Sequence, residues 1–120
     1  MSKTVMIVDD SKSTRTMVSF TLRRAGYEVT EAEDGQQALV LLGGRAPDCV
    51  ITDLNMPGMD GLALIRSLRG NAATQATPIL MLTTSTDVTN RGEGQRSGAN
   101  GWLSKPFTPA SLVEAVAKLM

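Results

Sequence analysis
The chain has 120 residues, and its twelve basic and twelve acidic side chains cancel, so it is expected to form one domain with a single buried core. That neutral balance, without a long charge run, removes the electrostatic footprint of a nucleic-acid or anionic-membrane binder. Histidine is absent, which excludes histidine triads, imidazole bases and histidine-bearing zinc sites. Any site must therefore be built from carboxylates, hydroxyls, lysine and backbone.

The single cysteine, Cys49, lies in an apolar run, can form no internal disulfide and reads as a small core residue of a reducing compartment. No stretch has the form of a signal peptide or a bilayer span. The expected location is the cytoplasm. The seven methionines read as core gap-fillers.

Val5-Met6-Ile7-Val8 is a continuous apolar run of the kind shown by a strand buried on both faces, and it ends in Asp9-Asp10. A helix is predicted from Ser13, with Met17, Val18, Thr21, Leu22 and Ala25 on one face. Arg23 and Arg24 stand in its last turn and Gly26 just past its end. Glu28 to Glu31 reads as a polar edge strand. Asp34 with Gln37 resembles a capping box opening a helix that buries Ala38, Leu41 and Leu42, closed by Gly43-Gly44.

A third strand runs from Cys49 into Asp53, after which Met56-Pro57-Gly58 suits a type II turn. Asp60 can cap a helix from Gly61 toward Leu68, burying Leu62, Leu64, Ile65 and Leu68. Gly70 to Thr77 is a polar loop. Pro78 to Leu82 is a fourth buried strand ending at Thr83-Thr84, and Gly101 to Leu103 a fifth, ending at Lys105-Pro106. Between them, Asp87 to Ala99 predicts a short or mobile helix, because Val88 is its one large apolar residue and Gly92 and Gly94 each cost about 1 kcal/mol relative to alanine. Thr108 and Pro109 open a last helix burying Leu112, Val113, Val116 and Leu119.

This alternation defines an α/β class with a doubly wound, five-stranded parallel sheet and helices on both faces. The natural strand order is 2-1-3-4-5, which sets the ligand crevice between strands one and three. Asp9 and Asp10 end the first strand and Asp53 the third, so three carboxylates meet where neighbouring strands lie about 4.8 Å apart. Like charges gathered there call for a hard divalent cation, and magnesium, held by carboxylates and a turn carbonyl at Asn55, fits. Two chemistries could use it: hydrolysis of a bound phosphate ester, or attack by Asp53 itself on a phosphoryl donor. Thr83 and Lys105, ending strands four and five on the opposite flank, favour the second. A hydroxyl, an ammonium and a metal would each hold one phosphoryl oxygen.

Asp9-Asp10, the run Asp53-Leu54-Asn55-Met56-Pro57-Gly58-Met59-Asp60-Gly61, Met81-Leu82-Thr83-Thr84 and Gly101-Trp102-Leu103-Ser104-Lys105-Pro106-Phe107 together resemble the receiver domains of two-component response regulators. The nearest type is the single-domain chemotaxis regulator, CheY, and the likeness covers essentially residues 1–120 as one receiver domain. It implies that Asp53 accepts a phosphoryl group from a phosphohistidine on a sensor histidine kinase. It further implies that Asp10 binds magnesium directly, Asp9 mainly through water and Asn55 through its backbone carbonyl. Thr83 and Lys105 would bind phosphoryl oxygens, and Lys105-Pro106 would be a cis peptide, at about 0.5–1 kcal/mol for an X-Pro bond.

Trp102 holds the family's aromatic switch position, where tyrosine or phenylalanine is more usual. Thr83 moving toward the phosphoryl group would free room for that ring. Read by itself, Trp102 is equally a half-exposed packing residue.

In motor-binding chemotaxis regulators the docking face is built from the segment corresponding to 87–99, the fifth strand and the last helix. Here that segment is polar and glycine-bearing, which leaves little apolar area for a hot spot. The implied protein is a monomeric phosphorylation switch and not an ordinary enzyme, acting either as a signal carrier or as a phosphoryl sink for a shared kinase. Two rivals stand beside it. A magnesium phosphohydrolase of the haloacid dehalogenase kind needs a second Asp where Asn55 stands, and an interaction module with a dead site would not need all five polar positions.

Overall fold
The computed structural model describes residues 3–43, 46–53, 61–84, 99–105 and 107–120, with backbone alone at 61, 62, 83, 84 and 105. The strands are β1 (Thr4–Val8), β2 (Glu28–Ala32), β3 (Cys49–Asp53), β4 (Ile79–Thr84) and β5 (Gly101–Lys105). The helices among the described residues are α1 (Lys12–Arg24), α2 (Gly35–Leu42), α3 (Gly61–Arg69) and α4 (Pro109–Leu119). The strands form one parallel sheet in the order β2-β1-β3-β4-β5, as the alternating pattern predicts.

Successive side chains of a strand point to opposite faces, and the two faces carry separate cores. Val5, Ile7, Cys49, Ile51, Leu80 and Leu82 pack with Val18 and Leu22 of α1 and Leu112 and Val116 of α4. Met6, Val8, Val50, Ile79 and Met81 pack with Ala38 and Leu42 of α2 and Leu64, Ile65 and Leu68 of α3. Strands covered on both sides have no use for polar alternation, which is why they read as continuous apolar runs. The polar β2 lies at an edge, as expected.

Helix starts follow local chemistry. Ser11 caps α1 by accepting from Thr14 N–H, and Asp34 caps α2 by accepting from Gln37 N–H at 2.8 Å. The Gln37 side chain reaches back to Glu33 N–H, one residue before the cap, so the motif is a shifted capping box. Thr108 and Ser111 form the reciprocal box that opens α4. Gly26 takes φ +99° after α1 and Gly43 φ +52° after α2, conformations that favour glycine.

Two predicted faces differ. In α1 the stripe on the sheet is Val18, Ser19 and Leu22, while Met17 is 37% exposed and Ala25 lies at the surface. In α2 Gly35, Ala38 and Leu42 are buried with Leu39 packed beside them, and Leu41 is 48% exposed. Both stripes follow i, i+3, i+4, i+7 spacing from a residue, Arg15 or Gly35, whose type does not look apolar. The turn at 54–60, the predicted helix within 87–98 and the Lys105-Pro106 peptide lie outside the described residues.

Candidate functional site
The register of the central strands builds the site. Val8 pairs with Thr52, so the next positions, Asp9 and Asp53, stand level at the carboxyl ends of β1 and β3. One ligand oxygen from each of Asp9, Asp10 and Asp53 lies within 4.8 Å of the others. Burial is graded: Asp9 is enclosed, Asp53 half-buried and Asp10 exposed. The crevice therefore has a fixed acidic floor and a rim open to solvent.

Asp9 is held on several sides. Its N–H donates to Ala32 O at 3.1 Å, and its Oδ1 accepts from Ser11 N–H at 2.9 Å. Arg15 Nη1 donates to its main-chain carbonyl at 2.7 Å. Thr52, buried behind the site, donates its hydroxyl to Asp53 O at 3.0 Å. Three hard oxygen donors from two strand tips, two of them reachable from water, suit a divalent cation that retains part of its hydration shell. Without such a cation the gathered carboxylates repel one another.

On the other flank, Asp53 pairs with Leu82, so Thr83 stands one step beyond it on β4. Thr84 pairs with Lys105 across β4 and β5. The backbones of both Thr83 and Lys105 thus end at the same edge of the sheet as Asp53. Asn55 lies outside the described residues. Trp102 is half-buried on β5 and packs against the core shared with α2 and α3.

Sequence reasoning missed Arg15. No spacing marked it, because a charged residue at the head of the 15/18/19/22 stripe reads as part of a solvated face and its bond goes to a main-chain carbonyl. It also missed Arg69, at the end of α3, whose guanidinium organises the segment leading into β4. Nη1 donates to Gln75 O at 3.0 Å and Thr77 O at 2.7 Å, and Nη2 to Asn100 Oδ1 at 2.6 Å.

A doubly wound parallel sheet with an acidic cluster at the β1/β3 crevice is an α/β domain whose candidate site sits at the topological switch point. Known proteins narrow this. Residues 5–117 match the family model of the response regulator receiver domain. The phosphate regulon transcriptional regulatory protein PhoB of Pseudomonas aeruginosa is 40% identical over 113 residues, covering 94% of this chain and 49% of PhoB. The chain thus spans about half the length of the curated relatives it matches.

Among solved structures, the chemotaxis protein CheY4 of Vibrio cholerae superposes with a TM-score of 0.95 at 43% identity, covering all of both chains. The receiver domain of the sensor histidine kinase PA1611 from Pseudomonas aeruginosa, with magnesium coordinated in its active-site cleft, superposes with a TM-score of 0.90 at 28% identity, covering 99% of this chain and 98% of that one.

The chain belongs to the response regulator receiver domain family. It is accordingly a two-component phosphoacceptor switch and not a catalytic enzyme, which removes the phosphohydrolase alternative. Receiver domains are phosphorylated by histidine kinases, and the Asp9/Asp10/Asp53 cluster is an acidic triad like that of receivers that bind magnesium. Among the described residues, no helix is long and apolar enough to cross a membrane.

Proposed function
We propose that residues 1–120 act as one cytoplasmic, monomeric receiver unit of the CheY type, with Asp53 as the phosphoacceptor. The observation that carries this reading is the meeting of the Asp9, Asp10 and Asp53 oxygens within 4.8 Å. A carboxylate oxygen of Asp53 attacks the phosphorus of a kinase phosphohistidine. The P–N bond breaks, its electron pair stays on the imidazole, and the acyl phosphate forms on Asp53. Asp9, Asp10, Asp53 and the Asn55 carbonyl hold Mg²⁺, which supplies charge neutralisation when bound. Thr83 and Lys105 bind phosphoryl oxygens from the far flank, and Trp102 reports the switch as Thr83 moves.

Full-length agreement with CheY4 supports a chemotaxis-type output, in which the modified form binds a protein partner over the face that includes β5 and α4. Similarity to PhoB favours a second reading, that this receiver controls transcription. Affinity capture with the activated form separates the two: motor or chemotaxis proteins support the first, a DNA-bound complex the second, and kinase alone the phosphoryl sink.

The phosphoacceptor is tested by treating the protein with a small phosphoryl donor and Mg²⁺ and recording intact mass and Trp102 fluorescence. One added phosphoryl group, absent without Mg²⁺ and absent in Asp53→Asn, is the expected result. Phosphorylation that persists in Asp53→Asn, or none in the wild type, contradicts the assignment.

A further inference from the structure
The face of α1 that packs on the sheet carries Arg15 in line with Val18, Ser19 and Leu22, and the Arg15 side chain is only 11% exposed. A guanidinium in a core-facing position needs its charge and donors answered. Nη1 donates to Asp9 O at 2.7 Å, and Nε lies 3.8 Å from Glu31 Oε1 on the edge strand β2. Arg23 stands 3.8 Å from the other oxygen of the same carboxylate and donates to Val29 O at 3.1 Å. Arg15 is thus the member of this network that touches the cluster, at the residue whose carboxylate forms its buried floor.

We propose that Arg15 is a positioning residue for the divalent-cation site. It fixes the tip of β1, and thereby the direction in which Asp9 and Asp10 face Asp53. Asp9 is the first residue past β1 on the way to α1, so its carbonyl lies beyond the β1/β3 register that ends at Val8 and Thr52. Arg15 reaches back from the first turns of α1 to anchor that carbonyl, tying the start of the helix to the end of the strand. Asp10, exposed and adjacent, inherits its direction from that anchor. The inference rests on the triad being a magnesium site, and its test has an arm that needs no metal.

Charge and position act in opposite directions here. Removing a nearby cation by itself tightens binding of a second cation, whereas losing the anchor weakens it. Arg15→Met combined with Glu31→Gln removes one charge of each sign, keeps both stems and isolates position. The expected result is Mg²⁺ affinity lowered about tenfold by calorimetry, the scale seen when partners that orient metal ligands are lost. Arg23→Met, which touches Glu31 and not Asp9, stays within about twofold, and Arg15→Lys, which keeps charge and one donor, recovers most of the loss.

In metal-free protein, amide exchange at Ser11, whose N–H donates to Asp9 Oδ1, is faster in the double variant and unchanged in Arg23→Met. If the double variant does not fold, Arg15→Gln with Glu31→Gln, whose amide is too short to reach the carbonyl, is read in the same two ways. A folded variant with wild-type affinity and wild-type Ser11 protection overturns the proposal. Wild-type protein that binds no Mg²⁺ overturns the reading of the triad, and the Ser11 exchange then decides on Arg15 alone.

Discussion
Cys49 and Asp53 sit on the same strand, and their environments give them opposite chemistry. Cys49 is buried in the core under α1 and α4, and its thiol is pushed up to about 12, first by burial and then by the negative charge of Asp48. It remains protonated and is no nucleophile. Asp53, four residues on, emerges at the strand end half-exposed beside two other carboxylates. Position along β3 therefore buries the thiol in the core and sets the carboxylate proposed as phosphoacceptor at the crevice.

The thiol has a consequence for stability. The folded state keeps this proton above the ordinary value near 9.0, where the unfolded chain releases it. Its contribution is complete below about 9 and is lost as pH rises from there toward about 12, at up to about 1.4 kcal/mol per pH unit for the one proton involved. Urea denaturation at pH 8 and pH 10 checks this. Cys49→Ala is expected to lose less stability between the two than the wild type, and equal losses contradict the burial argument.

At the scale of elements, the strands were the most readable part, because continuous apolar runs have one use in a chain of this length. Two helix starts also followed from caps, Asp34 before α2 and Thr108-Pro109 before α4, whereas α1 begins at Lys12 behind a Ser11 cap. The helix faces were less readable. Met17 and Leu41 are apolar, and composition draws them into the buried stripe. The sheet instead selects Ser19 and Leu39, because Arg15 and Gly35 set the phase of their helices and neither looks like a core residue.

The segment between α3 and β4 reads as a plain polar loop and is in fact tied together by side-chain bonds within the loop and by two long-range bonds to Asn100. Thr74, buried, donates its Oγ1 to Leu68 O at 2.7 Å. Arg69 bonds three carbonyls of the loop, and Asn100 Oδ1 accepts from both Arg69 Nη2 and Ile79 N–H. This clamp joins the end of α3 to the starts of β4 and β5. Arg69→Ala is expected to lower stability by about 1.5–3 kcal/mol, the scale of charge-assisted hydrogen bonds, in urea denaturation. A loss no larger than that of an ordinary exposed arginine, within about 0.5 kcal/mol, contradicts the clamp.

At the scale of the whole molecule, the parallel order β2-β1-β3-β4-β5 brings residues separated by more than forty positions to one edge. Asp9 and Asp53 meet because β1 and β3 are neighbours in the sheet and not in the chain. That juxtaposition was legible, since alternating strands and helices with right-handed crossovers leave few orders. The contribution of Arg15 was not, because it acts through a main-chain carbonyl that any residue could offer. The fold thus creates a site by topology and trims it by contacts invisible to sequence spacing.

The proposed function makes the carboxylates of two strand tips a single cation site. Calorimetric titration of Mg²⁺ into wild type, Asp10→Asn and Asp53→Asn tests it directly. One ion per chain in the wild type and a loss of at least about tenfold in affinity in each variant are the expected result. Wild-type protein that takes up no Mg²⁺, or variants that bind it as tightly as the wild type, would contradict it.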